Sequence, residues 1–207
     1  MNKSVFAAVA AAAVVAGGAN ADLVNGGFDD GGTGWDFFGG QGLFDPPFLP
    51  GLAIVGYGNF SGGTDYSGAT QTLAWAGDFA EGDTINFGGD MYLESNKVPY
   101  GTNRAVIQLN FWYGAGYDYG FSVVAGVVDS SSATDQVLSF DLDYVLDAGA
   151  ASATRISFDF TYIQDGFADG VESGAVWGDN FYASIVPAPG AMALLGMAGL
   201  ARGRRRD

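Results

Sequence analysis

The chain has 207 residues, a length for one domain, with 34 Gly, 48% hydrophobic and 15% charged side chains and a net charge of −15. It contains no Cys and no His, which excludes a disulfide framework, a thiolate zinc site, a thiol nucleophile and a His-based catalytic triad. Five of the eight basic residues sit at the ends (Lys3, Arg202, Arg204, Arg205, Arg206), leaving Lys97, Arg104 and Arg155 in an acidic body that repels phosphate backbones, so no nucleic-acid partner is expected.

Residues 1–21 have the layout of a secretory signal. Lys3 gives the positive start, Val5 to Val15 is an unbroken run of Ala, Val and Phe, and Ala19-Asn20-Ala21 is a small-x-small site for signal peptidase. The run is short for a membrane span, which needs about 20 apolar residues. Cleavage after Ala21 starts the mature chain at Asp22.

From residue 22 to 185 no helical period stands out. Short β-rich runs occur at Leu52–Tyr57, Ala69–Trp75, Asp83–Leu93, Gly120–Val128 and Gly174–Ile185. Three stripes alternate cleanly: Ile107, Leu109, Phe111; Leu138, Phe140, Leu142, Tyr144; and Ile156, Phe158, Phe160, Tyr162. Eight or so such strands without intervening helices predict an all-β fold, two antiparallel sheets packed as a jelly-roll sandwich. Evenly spread aromatic residues argue for Gly-rich turns rather than disorder. The acidic run from Asp165 to Glu172 lacks the spacing of a calcium-binding helix–loop–helix and reads as a solvated hairpin turn.

Two groups of residues are candidates for chemistry. Asp179, if it lies on the core-facing side of a strand with Trp177 and Phe181, is a carboxylate among aromatics. It would need a cation, backbone N–H donors or an exposed strand end to be tolerated. The run Phe111-Trp112-Tyr113-Gly114-Ala115-Gly116-Tyr117-Asp118-Tyr119 leaves a strand for a Gly-rich loop. Trp112, Tyr113, Tyr117 and Tyr119 are therefore candidates for stacking on a polysaccharide, with Trp35 and Trp75 as further aromatics; packing in the core is the alternative. Hydrolysis of a glycoside needs two carboxylates about 5 to 10 Å apart. A chain with 23 acids meets that by chance, so a non-enzyme is expected and a secreted glycoside hydrolase ranks last.

The segments Leu23-Val24-Asn25-Gly26-Gly27-Phe28-Asp29 with Gly34-Trp35, Gly82 to Phe87, Arg104 to Phe111 and Val176 to Phe181 resemble strands of the galactose-binding-like, carbohydrate-binding-module type of jelly roll. That resemblance implies a structural Ca²⁺ joining the first and last strands. Asp29 and Asp179 would be its side-chain ligands, with backbone carbonyls near Asn25 completing an oxygen shell.

The last residues repeat the theme of an address. Val186-Pro187-Ala188-Pro189 breaks secondary structure, Gly190 to Ala201 is wholly apolar or Gly, and Arg202, Arg204, Arg205 and Arg206 close the chain. The layout resembles the PEP-CTERM sorting tail, with Ala188 where that motif usually has Glu. The resemblance implies a hydrophobic C-terminal helix that enters the membrane, an exosortase-type transpeptidase as partner, and delivery to the cell surface or extracellular matrix of a Gram-negative-type bacterium. The organisation expected is a signal peptide at 1–21, a sandwich at 22–185 and a sorting tail at 186–207. The role expected first is an exported, non-catalytic surface or exopolysaccharide-matrix protein, with a glycan-binding module as the alternative.

Overall fold

The computed structural model describes residues 22–58, 64–165 and 174–189. Among these residues ten strands form in chain order: β1 Asp36–Phe38, β2 Gln41–Phe44, β3 Ala53–Tyr57, β4 Asp65–Trp75, β5 Thr84–Tyr92, β6 Arg104–Tyr113, β7 Asp118–Asp129, β8 Val137–Val145, β9 Arg155–Gln164 and β10 Ala175–Val186. They make two five-stranded antiparallel sheets, ordered β1-β4-β9-β6-β7 and β2-β3-β10-β5-β8. A 3₁₀ turn, Ala150–Ser152, precedes β9. All eight strand runs expected from the sequence are present. The two additions, β1 and β2, are edge strands too short to show an alternating stripe.

The alternation of β9 puts Ile156, Phe158, Phe160 and Tyr162 between the sheets, all buried. Phe158 and Phe160 meet Phe181 of β10 at 5.5 and 5.4 Å between ring centroids. Trp35 adds edge contacts to Phe158 (5.9 Å) and Phe28 sits 5.3 Å from Trp35. Trp35 therefore belongs to the core rather than to a ligand surface. Towards the β7–β8 edges, Phe111 stacks on Phe121 at 4.5 Å and meets Tyr144 edge-on.

The segment expected as a first strand, Leu23 to Asp29, is instead a run of bends and turns laid over β10. Leu23 N–H donates to Ala183 O, and Phe181 N–H donates to Gly26 O. A Cβ on Gly26 would lie 1.7 Å from the Phe181 carbonyl oxygen, so only Gly permits this approach. Gln71, buried in β4, substitutes for a partner strand: its Oε1 accepts Val24 N–H (2.7 Å), and its Nε2 donates to Val24 O (3.0 Å) and Gly34 O (2.9 Å).

At the other end β10 runs to Val186, one residue beyond the expected boundary. Ala188 N–H then donates to Asp83 Oδ1 (2.8 Å), while Asp83 Oδ2 accepts Ala80 N–H (2.8 Å). A single buried carboxylate thus ties the exit of the chain to the turn before β5. The expected signal helix with Ala19 and Ala21, the C-terminal helix and Arg202, Arg204, Arg205 and Arg206 lie outside the described residues, as does the acidic turn after Asp165. Among the described residues, no helix is long and apolar enough to cross a membrane.

Candidate functional site

The outer face of the β1-β4-β9-β6-β7 sheet carries the side chains that point away from the core: Arg155, Ser157, Asp159 from β9 and Gln108, Asn110, Trp112 from β6. Two bulges bring aromatic residues to the same end. In β4 the extra residue Leu73 resets the alternation, so Ala74 is buried and Trp75 emerges opposite Arg155. In β7 the extra residue Gly120 lets Tyr119 face Trp112 while Phe121 stays inside. The tight β6–β7 turn, with Tyr117 in the left-handed region (φ 53°), adds a third strand end.

The result is an aromatic cluster around one cation. Trp112 and Tyr119 meet edge-on at 5.8 Å, as do Trp75 and Tyr117 at 5.7 Å. The Arg155 guanidinium carbon lies 4.7 Å from the Trp112 ring centre and 5.3 Å from that of Tyr117. Tyr119, Trp75 and Tyr117 remain 59%, 46% and 44% exposed. Three of the four aromatic residues singled out in the sequence, Trp112, Tyr117 and Tyr119, thus come together. Tyr113 does not. It follows Trp112 by one residue and so faces the other side, where its hydroxyl donates to Gly149 O (3.1 Å).

Beside the aromatic end runs a polarised chain of hydrogen bonds across four strands. Ser122 Oγ–H donates to Asn110 Oδ1, so the Tyr119 hydroxyl is the donor in its 2.8 Å contact with Ser122 Oγ. Asn110 Nδ2 and Thr70 Oγ (2.6 Å to Oδ1) both donate to the buried Asp159 carboxylate. Trp112 Nε1 donates to Ser157 Oγ (3.0 Å). Burial is the largest influence on Asp159 and raises its pKa, opposed by the hydrogen bonds of Thr70, Ser157 and Asn110 and least by the charge of Arg155. Sequence reading missed Arg155, Asp159 and Asn110 as parts of one face. Their two-residue spacing on β6 and β9 was legible, but not that both strands present it outward side by side.

Asp179 lies on the other sheet. A bulge between Asp179 and Tyr182 shifts the register of β10 against β5. Val176 and Phe181 consequently face the core, whereas Trp177 and Asp179 face outward, which corrects the expectation that Asp179 shares a side with Phe181. Trp177 packs instead with Phe48, which stacks on Tyr92 at 4.1 Å, under the loop before β3. Asp179 is 1% exposed and accepts Asn180 N–H (2.7 Å). Its pKa is raised to about 6, chiefly by burial, with the Asn180 N–H opposing and the negative charges of Asp90 and Asp29 adding to the rise. Among the described residues no Lys or Arg pairs with it.

Asp29 Oδ2, Asp179 Oδ1 and Asn180 Oδ1 converge on Gly27, each within 3.9 Å of where a Cβ would stand. These oxygen-only donors suit a hard cation. No three acidic side chains among the described residues are close enough to hold a metal by themselves, so amide and backbone oxygens would have to complete the shell. Asn25's own polar groups are already engaged. Its Nδ2 donates to Gly31 O (2.8 Å), its Oδ1 accepts Asp30 N–H, and its carbonyl accepts both Trp35 Nε1–H and Phe28 N–H. Asn180, in the left-handed region (φ 50°) within the bulge, brings its Oδ1 to the same side of Gly27 as the two carboxylates.

No family model and no curated protein matches the chain. Solved structures do. The CBM22-1–GH10 modules of Clostridium thermocellum xylanase 10B, solved with xylohexaose, align with a TM-score of 0.51 at 12% identity over 82% of this chain. The alignment spans only 29% of that xylanase chain. The CBM22-2 xylan-binding domain of Paenibacillus barcinonensis Xyn10C aligns at 0.50 and 10% identity, over 79% of this chain and 98% of its own. A Stig cyclase, Fisc from Fischerella sp. TAU, aligns at 0.50 and 12% identity, over 79% and 96%. At such identities the likeness shows the fold, a carbohydrate-binding-module-like jelly roll, and the cyclase shows that this fold also carries enzymes.

Proposed function

We propose that the chain is an exported, non-catalytic protein that holds polysaccharide on the outer face of the β4-β9-β6-β7 strands. The observation that carries the reading is the aromatic cluster of Trp75, Trp112, Tyr117 and Tyr119 around Arg155. It has exposed rings on rigid strands beside a row of hydroxyl and amide groups. Sugar rings present C–H faces to aromatic rings and hydroxyls to the Tyr119 and Ser122 hydroxyls, which the buried Asn110 holds in line from behind. Such a face needs no reacting group. The likeness to xylan-binding domains supports a polymer of this chemical class as partner. This places the glycan-binding alternative ahead of a purely structural role in a surface or exopolysaccharide matrix.

Export rests on residues 1–21 and sorting on residues 186–207. In this reading signal peptidase removes the first segment. The Val186-Pro187-Ala188-Pro189 tail, with its apolar run and Arg cluster, dwells in the membrane until an exosortase-type transpeptidase processes it. The protein then resides at the cell surface or in the extracellular matrix. A structural Ca²⁺ at Asp29, Asp179 and Asn180 would neutralise the carboxylates that now repel one another beneath the Leu23–Asp29 segment.

The test is migration of the full chain through native gels cast with neutral and acidic polysaccharides. Retardation by at least one polymer, lost in Trp112→Ala and kept in Tyr113→Phe, is the expected result. Retardation by none, or equal retardation of the Trp112→Ala variant, would overturn the reading.

A further inference from the structure

The charge state of the sugars that the face prefers turns on Arg155. Arg104 is paired with Asp165. Arg155 has no such partner. Among the described residues its guanidinium makes neither a hydrogen bond nor an ion pair, although acids outnumber bases in the chain by 23 to 8. Its Nε is buried without an acceptor. Buried N–H groups left in that state are rare in folded proteins and ask for an explanation. The nearest carboxylate on the same strand face, Asp159, is already occupied by Thr70 and Asn110, and the Arg155 charge is the weakest influence on it.

The guanidinium is nevertheless held in place. Trp112 and Tyr117 flank it at 4.7 and 5.3 Å, and Trp75 and Tyr119 buttress those rings. Its two Nη groups also lack partners but are not buried, so they form the polar end of an aromatic platform. A planar, fixed fork of N–H donors matches the two oxygens of a carboxylate, whereas a lone sugar hydroxyl can engage only part of it.

We propose that the face selects acidic polysaccharide. The carboxylate of a uronic acid residue docks on the Arg155 Nη pair while a sugar ring of the same polymer stacks on the Trp112–Tyr119 pair. The distant acids of the body oppose this only weakly, because at physiological ionic strength charges beyond about 8 Å are largely screened. The nearer ones are engaged within the protein, Asp159 by Thr70 and Asn110 and Asp78 by the Trp75 N–H.

This inference rests on the polysaccharide reading, and the experiment separates the two. Polygalacturonate and alginate are each compared with their fully esterified forms, which keep the backbone and remove the charge. Xylan serves as a neutral control, and all are tested by affinity electrophoresis of the full chain. The expected result is retention about tenfold stronger for at least one acidic polymer than for its ester. Arg155→Gln should reduce it to the ester's level and Arg155→Lys should keep part of the difference. Equal retention of acid and ester forms, or a preference that survives Arg155→Gln, overturns the proposal while leaving polysaccharide binding intact. Retention of no polymer at all overturns both. The comparison of acid with ester on the unaltered chain stands even if Arg155→Gln fails to fold.

Discussion

Replacing Asp179 with Asn tests the electrostatics at the bulge of β10. The folded-state pKa of Asp179 is raised to about 6, from 3.8, first by burial and then by Asp90 and Asp29. A raised carboxyl pKa means that the folded state holds the proton more tightly than the unfolded chain. No penalty exists below pH 3.8; it grows as the pH climbs towards 6 and is complete above that. The full shift corresponds to about 3 kcal/mol, of which an Asn variant regains about half, about 1.5 kcal/mol, because a buried amide needs hydrogen-bond partners of its own. Asp179→Asn removes the charge and keeps an oxygen for the Asn180 N–H. In chelator at pH 7 the variant should therefore melt roughly 3–6 °C above the parent chain, and the gap should close at pH 4. With excess Ca²⁺ the order should reverse, because the charge then serves the cation. A variant that melts lower than the parent in chelator at pH 7, or a gap indifferent to pH, would refute the reasoning.

Other outcomes follow from the same geometry. Gly26→Ala forces a methyl into the Phe181 carbonyl and should cost about 2–4 kcal/mol by denaturant unfolding. Gln71→Leu leaves Val24 and Gly34 backbone groups without their partner and should cost about 2 kcal/mol, with faster hydrogen exchange at Val24. Trp35→Ala opens the core between Phe28, Phe158 and Phe181, so a loss of about 3–5 kcal/mol is expected, unlike the exposed Trp75→Ala, which should lose polysaccharide retention with a change below about 1 kcal/mol.

Strands were legible wherever one face of the sandwich is wet and the other dry. β8 shows this in its strict alternation from Val137 to Val145. The Ile156–Tyr162 stripe of β9 was legible because polar Ser157, Asp159 and Thr161 interleave it, although both faces of that strand are buried. What the sequence hid were the places where alternation breaks. The extra residues Leu73 and Gly120, and the Asp179–Tyr182 bulge, decide which side of the sheet Trp75, Tyr119 and Asp179 take, and a bulge leaves no mark in a two-residue pattern. Trp112, Tyr117 and Tyr119 could be grouped because a hairpin keeps them near in sequence. Arg155 and Trp75 join them only through pairings of β9 with β6 and β4, a property of topology rather than of local sequence. The first segment was misread for a similar reason: its hydrogen bonds go to a Gln side chain and to two β10 positions, not to a ladder.

Hydrogen exchange of the full chain, with and without a retained polysaccharide, tests the central claim most directly. Slowed exchange confined to residues 110–122 and 154–160, with no change over residues 84–92 and 137–145, is the predicted footprint. Protection on the opposite sheet instead, or a bound polymer that leaves the Trp112 and Arg155 segments unchanged, would contradict it.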